Sequence, residues 1–411
     1  MNLDSKRWLV LIASCLINLC VGSIYAWSVF AKPVAALLGI TGAAAAMAFT
    51  IANSISPIPM VLGGRLQDKF GPKWVIFVGG LLFGIGWIGS GYSSSITTLY
   101  VFYGIFAGLG VGTVYSCTIA NTVKFFPDKR GLVAGIVTAA YGLSAVLLGP
   151  IANALIASSG VLNAFKVLGI VFLVVVLVSS FFVMTAPAGY KPAGWNPPAP
   201  AAGSAVSGVD KNWPQMLLDP TFYVLMLMLM AGAFSGLMIV SQASPIAQEV
   251  IKVTPATAAF AVSLLALANM AGRIFWGWVS DIAGRYASLT AMYIILALSM
   301  FLLSTVNTFA PFMLVVMAVG FCFGGLMGIF PALTADTFGP KNNGVNYGIM
   351  FCGFALAAYF GPITAAKIKI ASGGYTQAFI IAAVISTIAI LLTQYVRYRN
   401  IKAREANTIA G

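Results

Sequence analysis

The sequence predicts an all-α membrane protein: twelve transmembrane helices in two six-helix, pseudo-symmetric bundles, with both termini cytoplasmic. Three observations carry that prediction. Of 411 residues, 60% are hydrophobic and 8% charged, with a mean hydropathy of +0.97; a water-soluble chain of that balance would expose a largely apolar surface. Apolar runs of about 20 residues, the length that crosses a bilayer as a helix, recur along the whole chain. Short loop motifs also recur at a nearly constant offset of 213 residues, which marks an internal duplication.

The spans read as 8–30, 44–65, 74–92, 98–122, 131–157, 162–185, 221–243, 255–279, 286–305, 309–334, 344–366 and 375–396. The first follows Lys6-Arg7, exceeds the length of a signal-peptide core and lacks a convincing cleavage site, so it is expected to be retained. An even number of spans puts both termini on one side. Sixteen of the 22 lysines and arginines fall at the termini or in loops on that side, five fall on the other, and Arg273 lies within a span. The positive-inside bias makes the richer side cytoplasmic. Residues 186–219, rich in Pro, Gly, Ala and Ser, have no apolar period. They read as a cytoplasmic linker between a 1–185 bundle and a 220–411 bundle, and "NWPQMLLD" at its end reads as a short interfacial helix.

Composition also excludes function classes. The chain has no histidine, which removes histidine metal ligands, triads and proton relays. Its five cysteines lie in apolar spans with no C-x-x-C pair, so no metal site is expected. The net charge of +13 is spread between spans rather than gathered in a patch, which argues against nucleic acid. "GLGVG" (108–112) is not followed by a phosphate-loop lysine and lies mid-span, so it reads as a helix-packing surface. No cofactor, catalytic residue or enzymatic activity is expected.

The repeats are specific. "GRLQDKFGPK" (64–73) and "GWVSDIAGRY" (277–286) both carry Gly, Asp and Gly at the same spacing: Gly64, Asp68, Gly71 and Gly277, Asp281, Gly284. Pro127, Gly131 and Gly135 match Pro340, Gly344 and Gly348 at the same offset, and Gly149-Pro150 matches Gly361-Pro362 at 212.

The most informative single residue is Arg273. It lies within the apolar run "ALANMAGRIFWGWVSDIAGRYASL" (266–289), about 12 Å along the helix from Asp281. A charge at mid-membrane costs about 3 kcal/mol on insertion scales. None of the nine carboxylates in the sequence falls near the middle of a span. A mobile anion is therefore the natural partner, and a guanidinium holds a carboxylate through two parallel hydrogen bonds. Asn269 is one turn earlier on the same face.

"GSIYAWSVFAKPV" (22–34), "KFFPDKRGLVAGI" (124–136), "NMAGRIFWGWVSDIAGR" (269–285) and "NYGIMF" (346–351), together with the duplicated Asp loop, resemble the oxalate/formate antiporter and monocarboxylate transporter branch of the major facilitator superfamily. The resemblance implies the fold of that superfamily, a cell (inner) membrane location, and alternating access with substrate bound between the halves. It implies a cytoplasmic gating latch at Gly64, Asp68, Lys69, Gly71, Gly277, Asp281, Gly284 and Arg285, and a substrate carboxylate on Arg273. Tyr25, Tyr115, Phe323 and Phe351 match aromatic positions of the antiporter site, and Met327 and Cys352 join them as cavity candidates. The sequence also departs from the branch. Asn269 stands where animal relatives carry an aspartate thought to take the proton, and Phe354 stands where the antiporter carries a second cation, a lysine. One cation suits one negative charge. The expected partners are a small monocarboxylate such as lactate or pyruvate, a proton and the lipid bilayer, with the chain acting as a monomeric symporter. An oxalate/formate-type exchanger and a non-transporting sensor are the alternatives.

Overall fold

The computed structural model describes residues 3–187, 189–196 and 210–410. Among them, twelve helices are long and apolar enough to cross a membrane: α1 Leu3–Leu38, α2 Ala44–Phe70, α3 Pro72–Ser90, α4 Ile96–Phe125, α5 Arg130–Ser159, α6 Val161–Ser180, α7 Pro220–Glu249, α8 Phe260–Ala283, α9 Arg285–Leu303, α10 Phe309–Phe338, α11 Asn343–Ser372 and α12 Thr376–Lys402. Residue 188 and residues 197–209 of the expected linker lie outside the described residues. At the linker's end a short helix, Trp213–Leu217, forms behind an Asn212–Gln215 capping box, as "NWPQMLLD" predicts.

Four helices are interrupted: α2 at Ser56, between Ile55 and Pro57, α4 by a π-helical stretch at Tyr100–Ala107, and α1 and α11 at candidate residues. α1 tightens into a 3₁₀ stretch at Gly22–Ala26, and α11 breaks at Phe351, between Met350 and Cys352. In α1 and α11 the irregular turn falls beside an aromatic residue singled out from the sequence, Tyr25 or Phe351 itself.

The chain divides into two compact units. The first comprises Met1–Pro127, Val137–Gly194 and Pro340–Ile349; the second comprises Asp128–Ile136, Trp195–Gly339 and Met350–Gly411. The opening turns of α5 and α11 thus each belong to the unit built mainly from the other half of the sequence. The first unit packs around Trp87 of α3, whose fully buried ring meets Phe30, Phe165 and Phe172 at centroid distances of 5.5, 5.5 and 5.0 Å. Aromatic burial of this kind combines large contact area with edge-to-face geometry. In the second unit, Tyr293 of α9 donates to the Met228 carbonyl of α7 at 2.6 Å, and Ser235 meets Ser386 at 3.1 Å. Buried hydroxyls in an apolar span need such partners.

Candidate functional site

The duplicated Asp loop forms the same structure twice. In the first unit, Asp68 at the end of α2 accepts from the backbone N–H groups of Val345 (3.0 Å) and Gly344 (3.4 Å), which open α11. In the second, Asp281 at the end of α8 accepts from the N–H groups of Gly131 (2.9 Å) and Leu132 (2.8 Å), which open α5. Each carboxylate sits on unsatisfied helix N-terminal donors, where negative charge is favoured. Every partner is displaced by 213 residues from its counterpart.

The repeated glycines permit these approaches. A Cβ on Gly64 would fall 2.3 Å from the Gly344 backbone, and one on Gly277 would fall 2.3 Å from the Gly131 carbonyl oxygen. Gly71 and Gly284, with φ of 85° and 88°, end α2 and α8 in a conformation that other residues rarely adopt.

Side-chain pairing around the two carboxylates is less symmetric. Asp68 takes Lys124 of α4 at 2.9 Å, whereas its sequence neighbour Lys69 lies over the Phe70 ring at 5.1 Å. Asp281 pairs with Arg285 at 2.7 Å, and Arg285 also reaches Asp336 at 2.9 Å, which Arg130 grips from α5.

Arg273 lies two turns deeper on α8. It is 7% exposed, and its Nε donates to Asn269 Oδ1 at 3.1 Å. Asn269 Nδ2 in turn donates to the Gly320 carbonyl of α10 at 3.3 Å, which fixes the amide and, through it, the guanidinium. The α8 backbone is held equally closely. Cβ atoms on Gly135 and Gly328 would fall 2.1 and 2.4 Å from the Arg273 carbonyl oxygen, and one on Gly324 would fall 1.9 Å from that of Asn269. These α10 glycines were not singled out from the sequence, although their three- and four-residue spacing marks a close helix contact.

The internal repeat supplies a comparison for this site. The counterpart of Arg273, 213 residues earlier, is Met60 of α2. Gly348 approaches the Met60 carbonyl as Gly135 approaches that of Arg273, with a Cβ falling 2.9 Å away. The counterpart of Asn269 is Ser56, whose Oγ lies 2.7 Å from the Ala52 carbonyl one turn back and 3.3 Å from the Gly108 carbonyl of α4. Both copies therefore keep a polar residue facing the neighbouring helix and one glycine against the following carbonyl. Only the second carries a charge at the next turn.

The aromatic candidates fall into two clusters, one in each unit. In the first, Tyr25 and Tyr115 are joined through Tyr141, at ring distances of 5.3 and 4.8 Å. Tyr25 is 38% exposed while Tyr115 and Tyr141 are buried. Tyr141 was missed, since one more aromatic in a span carries no signal of its own. In the second unit, Phe354 stacks on Phe351 at 4.5 Å and lies nearly parallel to Phe323 at 6.2 Å. Phe323 also packs against Gly236 of α7, Met327 is buried, and Cys352 is half-buried at the α11 break. No group of His, Cys, Asp or Glu among the described residues is arranged to hold a metal ion.

Comparison with known proteins agrees with this architecture. The family model described as Major Facilitator Superfamily matches residues 7–254 and 233–410. The oxalate:formate antiporter of Oxalobacter formigenes is 31% identical over 400 residues, covering 96% of this chain and 92% of that protein. Monocarboxylate transporter 13 of Bos taurus is 25% identical over 334 residues, covering 78% and 72%. Among solved structures, the transporter FucP in its outward conformation superposes with a TM-score of 0.73 at 13% identity, covering 95% of this chain and 99% of that one. Twelve apolar helices, a duplicated loop structure and a family match over nearly the whole length together make this chain a member of the Major Facilitator Superfamily, a multi-pass membrane transporter and not an enzyme.

Proposed function

We propose that the protein carries small monocarboxylates of the lactate and pyruvate class across the cell membrane by alternating access, coupled to proton symport, with Arg273 holding the substrate carboxylate. The observation that carries this reading is the asymmetry of the repeat. Met60 meets the same glycine contact without a charge, so the scaffold does not require a guanidinium at position 273. A buried arginine that packing does not need is a functional candidate in a membrane helix. Asn269 presents its amide one turn away, and the carboxylate-linked names of the two relatives support an anionic substrate.

Phe354 supports the single charge. It lies in a stack with Phe351 and alongside Phe323, an apolar wall that suits a methyl-bearing acid and offers nothing to a second carboxylate. A dianion beside one cation would leave net negative charge in surroundings that solvate it poorly. Arginine keeps its proton in proteins, so a symported proton would travel with the substrate carboxylate or on a water-linked group. In this reading both termini face the cytoplasm, residues 1–185 and 220–411 are the two transport halves, the Asp68 and Asp281 contacts latch the cytoplasmic side, Tyr25 and Tyr115 offer hydroxyls to the substrate, and the chain works as a monomer.

Exchange is the second reading, favoured by the printed activity of the Oxalobacter formigenes relative. Proteoliposomes separate the two. Uptake of labelled lactate into empty vesicles under an inward proton gradient is the expected result, and strict dependence on internal carboxylate would assign exchange. Thermal stabilisation by acetate, lactate and pyruvate but not by oxalate is expected. Arg273→Lys retaining both uptake and ligand stabilisation would refute the two-pronged carboxylate grip.

A further inference from the structure

The second unit carries a feature that carboxylate transport does not use. An open groove of about 400 Å³ runs beside the α5–α8 contact, lined by Leu132, Ala271, Ile274, Phe275 and Trp278, all apolar. Ile274, Phe275 and Trp278 remain 37–48% exposed although α8 crosses the membrane, so this groove opens toward lipid. At its cytoplasm-proximal end lies the Asp281 latch, because Leu132 donates its backbone N–H to Asp281. The groove is therefore built from the same close contact, Gly131 against Gly277, that the latch holds.

An exposed lysine lies close by in the chain. Val133 donates to the Lys129 carbonyl at 3.0 Å, which makes Lys129 the cap of α5. Lys129 lies three residues before the lining residue Leu132, in the bend that leads into α5. It is exposed and makes no ion pair among the described residues, whereas its neighbour Arg130 is taken by Asp336 and Arg285 by Asp281 and Asp336. Tryptophan and basic side chains are both favoured at a headgroup boundary.

We propose that this groove binds an anionic phospholipid, one acyl chain lying along Ile274, Phe275 and Trp278 and the headgroup phosphate on Lys129, and that the bound lipid stabilises the latched α5–α8 contact. The inference does not depend on what is transported. Because Leu132 comes from α5 and the other lining residues from α8, the groove exists only while those helices are joined. A lipid that fills it therefore favours the joined state by its differential affinity.

The test uses delipidated full-length protein in detergent, with thermal unfolding followed after addition of dioleoylphosphatidylglycerol or dioleoylphosphatidylcholine. The expected result is a midpoint raised several degrees more by phosphatidylglycerol than by phosphatidylcholine. Lys129→Gln, which removes the phosphate partner, and Ala271→Phe, which fills the groove, should each abolish that excess, while Lys402→Gln should keep it. Each comparison is between two lipids on one variant, so a lower starting midpoint does not confuse it. Should Ala271→Phe fail to fold, quenching of Trp278 by bromine-labelled phosphatidylglycerol, measured against Trp278→Phe, makes the same test. Equal stabilisation by the two lipids, a full excess in Lys129→Gln, or absence of Trp278-dependent quenching would overturn the proposal.

Discussion

Replacing Arg273 by methionine tests the site most directly, because the first copy already carries methionine at the matching position, Met60. The carbonyl of residue 273 would still face Gly135 and Gly328, and Asn269 would keep its bond to Gly320. Folding should therefore survive, with thermal stability unchanged or raised, since a buried charge costing about 3 kcal/mol is removed. Binding should not survive. Two charge-assisted hydrogen bonds, each contributing about 1.5–3 kcal/mol, amount to about 3–6 kcal/mol, or roughly 10²–10⁴-fold in affinity. The assay is paired: lactate-dependent thermal shift in detergent, and proton-driven lactate uptake in proteoliposomes. A variant that folds, reaches the membrane and loses both responses supports the assignment. Wild-type lactate binding would refute it, and collapse of the fold would show that the guanidinium is a structural element after all.

The other predictions concern neighbouring features. Phe354→Lys should add a second cation and create oxalate-dependent stabilisation where the parent shows none, strengthening dianion binding by roughly 10–100-fold through one charge-assisted bond; a thermal-shift panel reads it. Gly135→Ala would drive a Cβ to 2.1 Å from the Arg273 carbonyl and should cost about 1–3 kcal/mol, seen as a lowered unfolding midpoint. Gly149→Ala, which meets nothing within 4 Å, is the control and should be neutral or slightly stabilising. At the end of the linker, burial alone would raise the Asp219 carboxyl, but hydrogen bonds from Lys211 and Thr221 hold it below its usual 3.8. A depressed folded value means its contribution is complete above about pH 4 and is lost as pH falls below that. The loss should be under about 1 kcal/mol for so partly solvated a pair, and Asp219→Asn should flatten that portion of the stability–pH curve.

The parts of this molecule legible in its sequence are those governed by one-dimensional patterns. Span positions follow from runs of apolar residues, and the glycines of the two Asp loops follow from a repeated spacing. Asp281 pairs with Arg285, four residues on across the Gly284 turn, so its partner is near in the chain. The partner of Asp68 was not legible, because Lys124 lies 56 residues away while Arg65 and Lys69 stood nearer in the chain. The helix interruptions at Gly22–Ala26 and Phe351 were also hidden, since apolar runs continue through both without proline. Tyr141 joins Tyr25 to Tyr115 only once three separate helices are packed. The Met60–Arg273 correspondence was present in the 213-residue offset, but it acquires meaning only when both carbonyls are seen to meet equivalent glycines.

Asp68 and Asp281 grip main-chain amides, and that has a consequence for how such a chain can evolve. An aspartate that bonds to N–H groups is indifferent to most side chains its partner residues carry, so valine at 345 and leucine at 132 serve equally. After a duplication, each copy can drift at these positions without losing the contact, provided it keeps the glycines and avoids proline. Mechanical parts that tolerate drift leave room for specialisation elsewhere. One copy could keep a neutral thioether at position 60 while the other acquired a charge at 273, turning a symmetric frame into one with a single charged end.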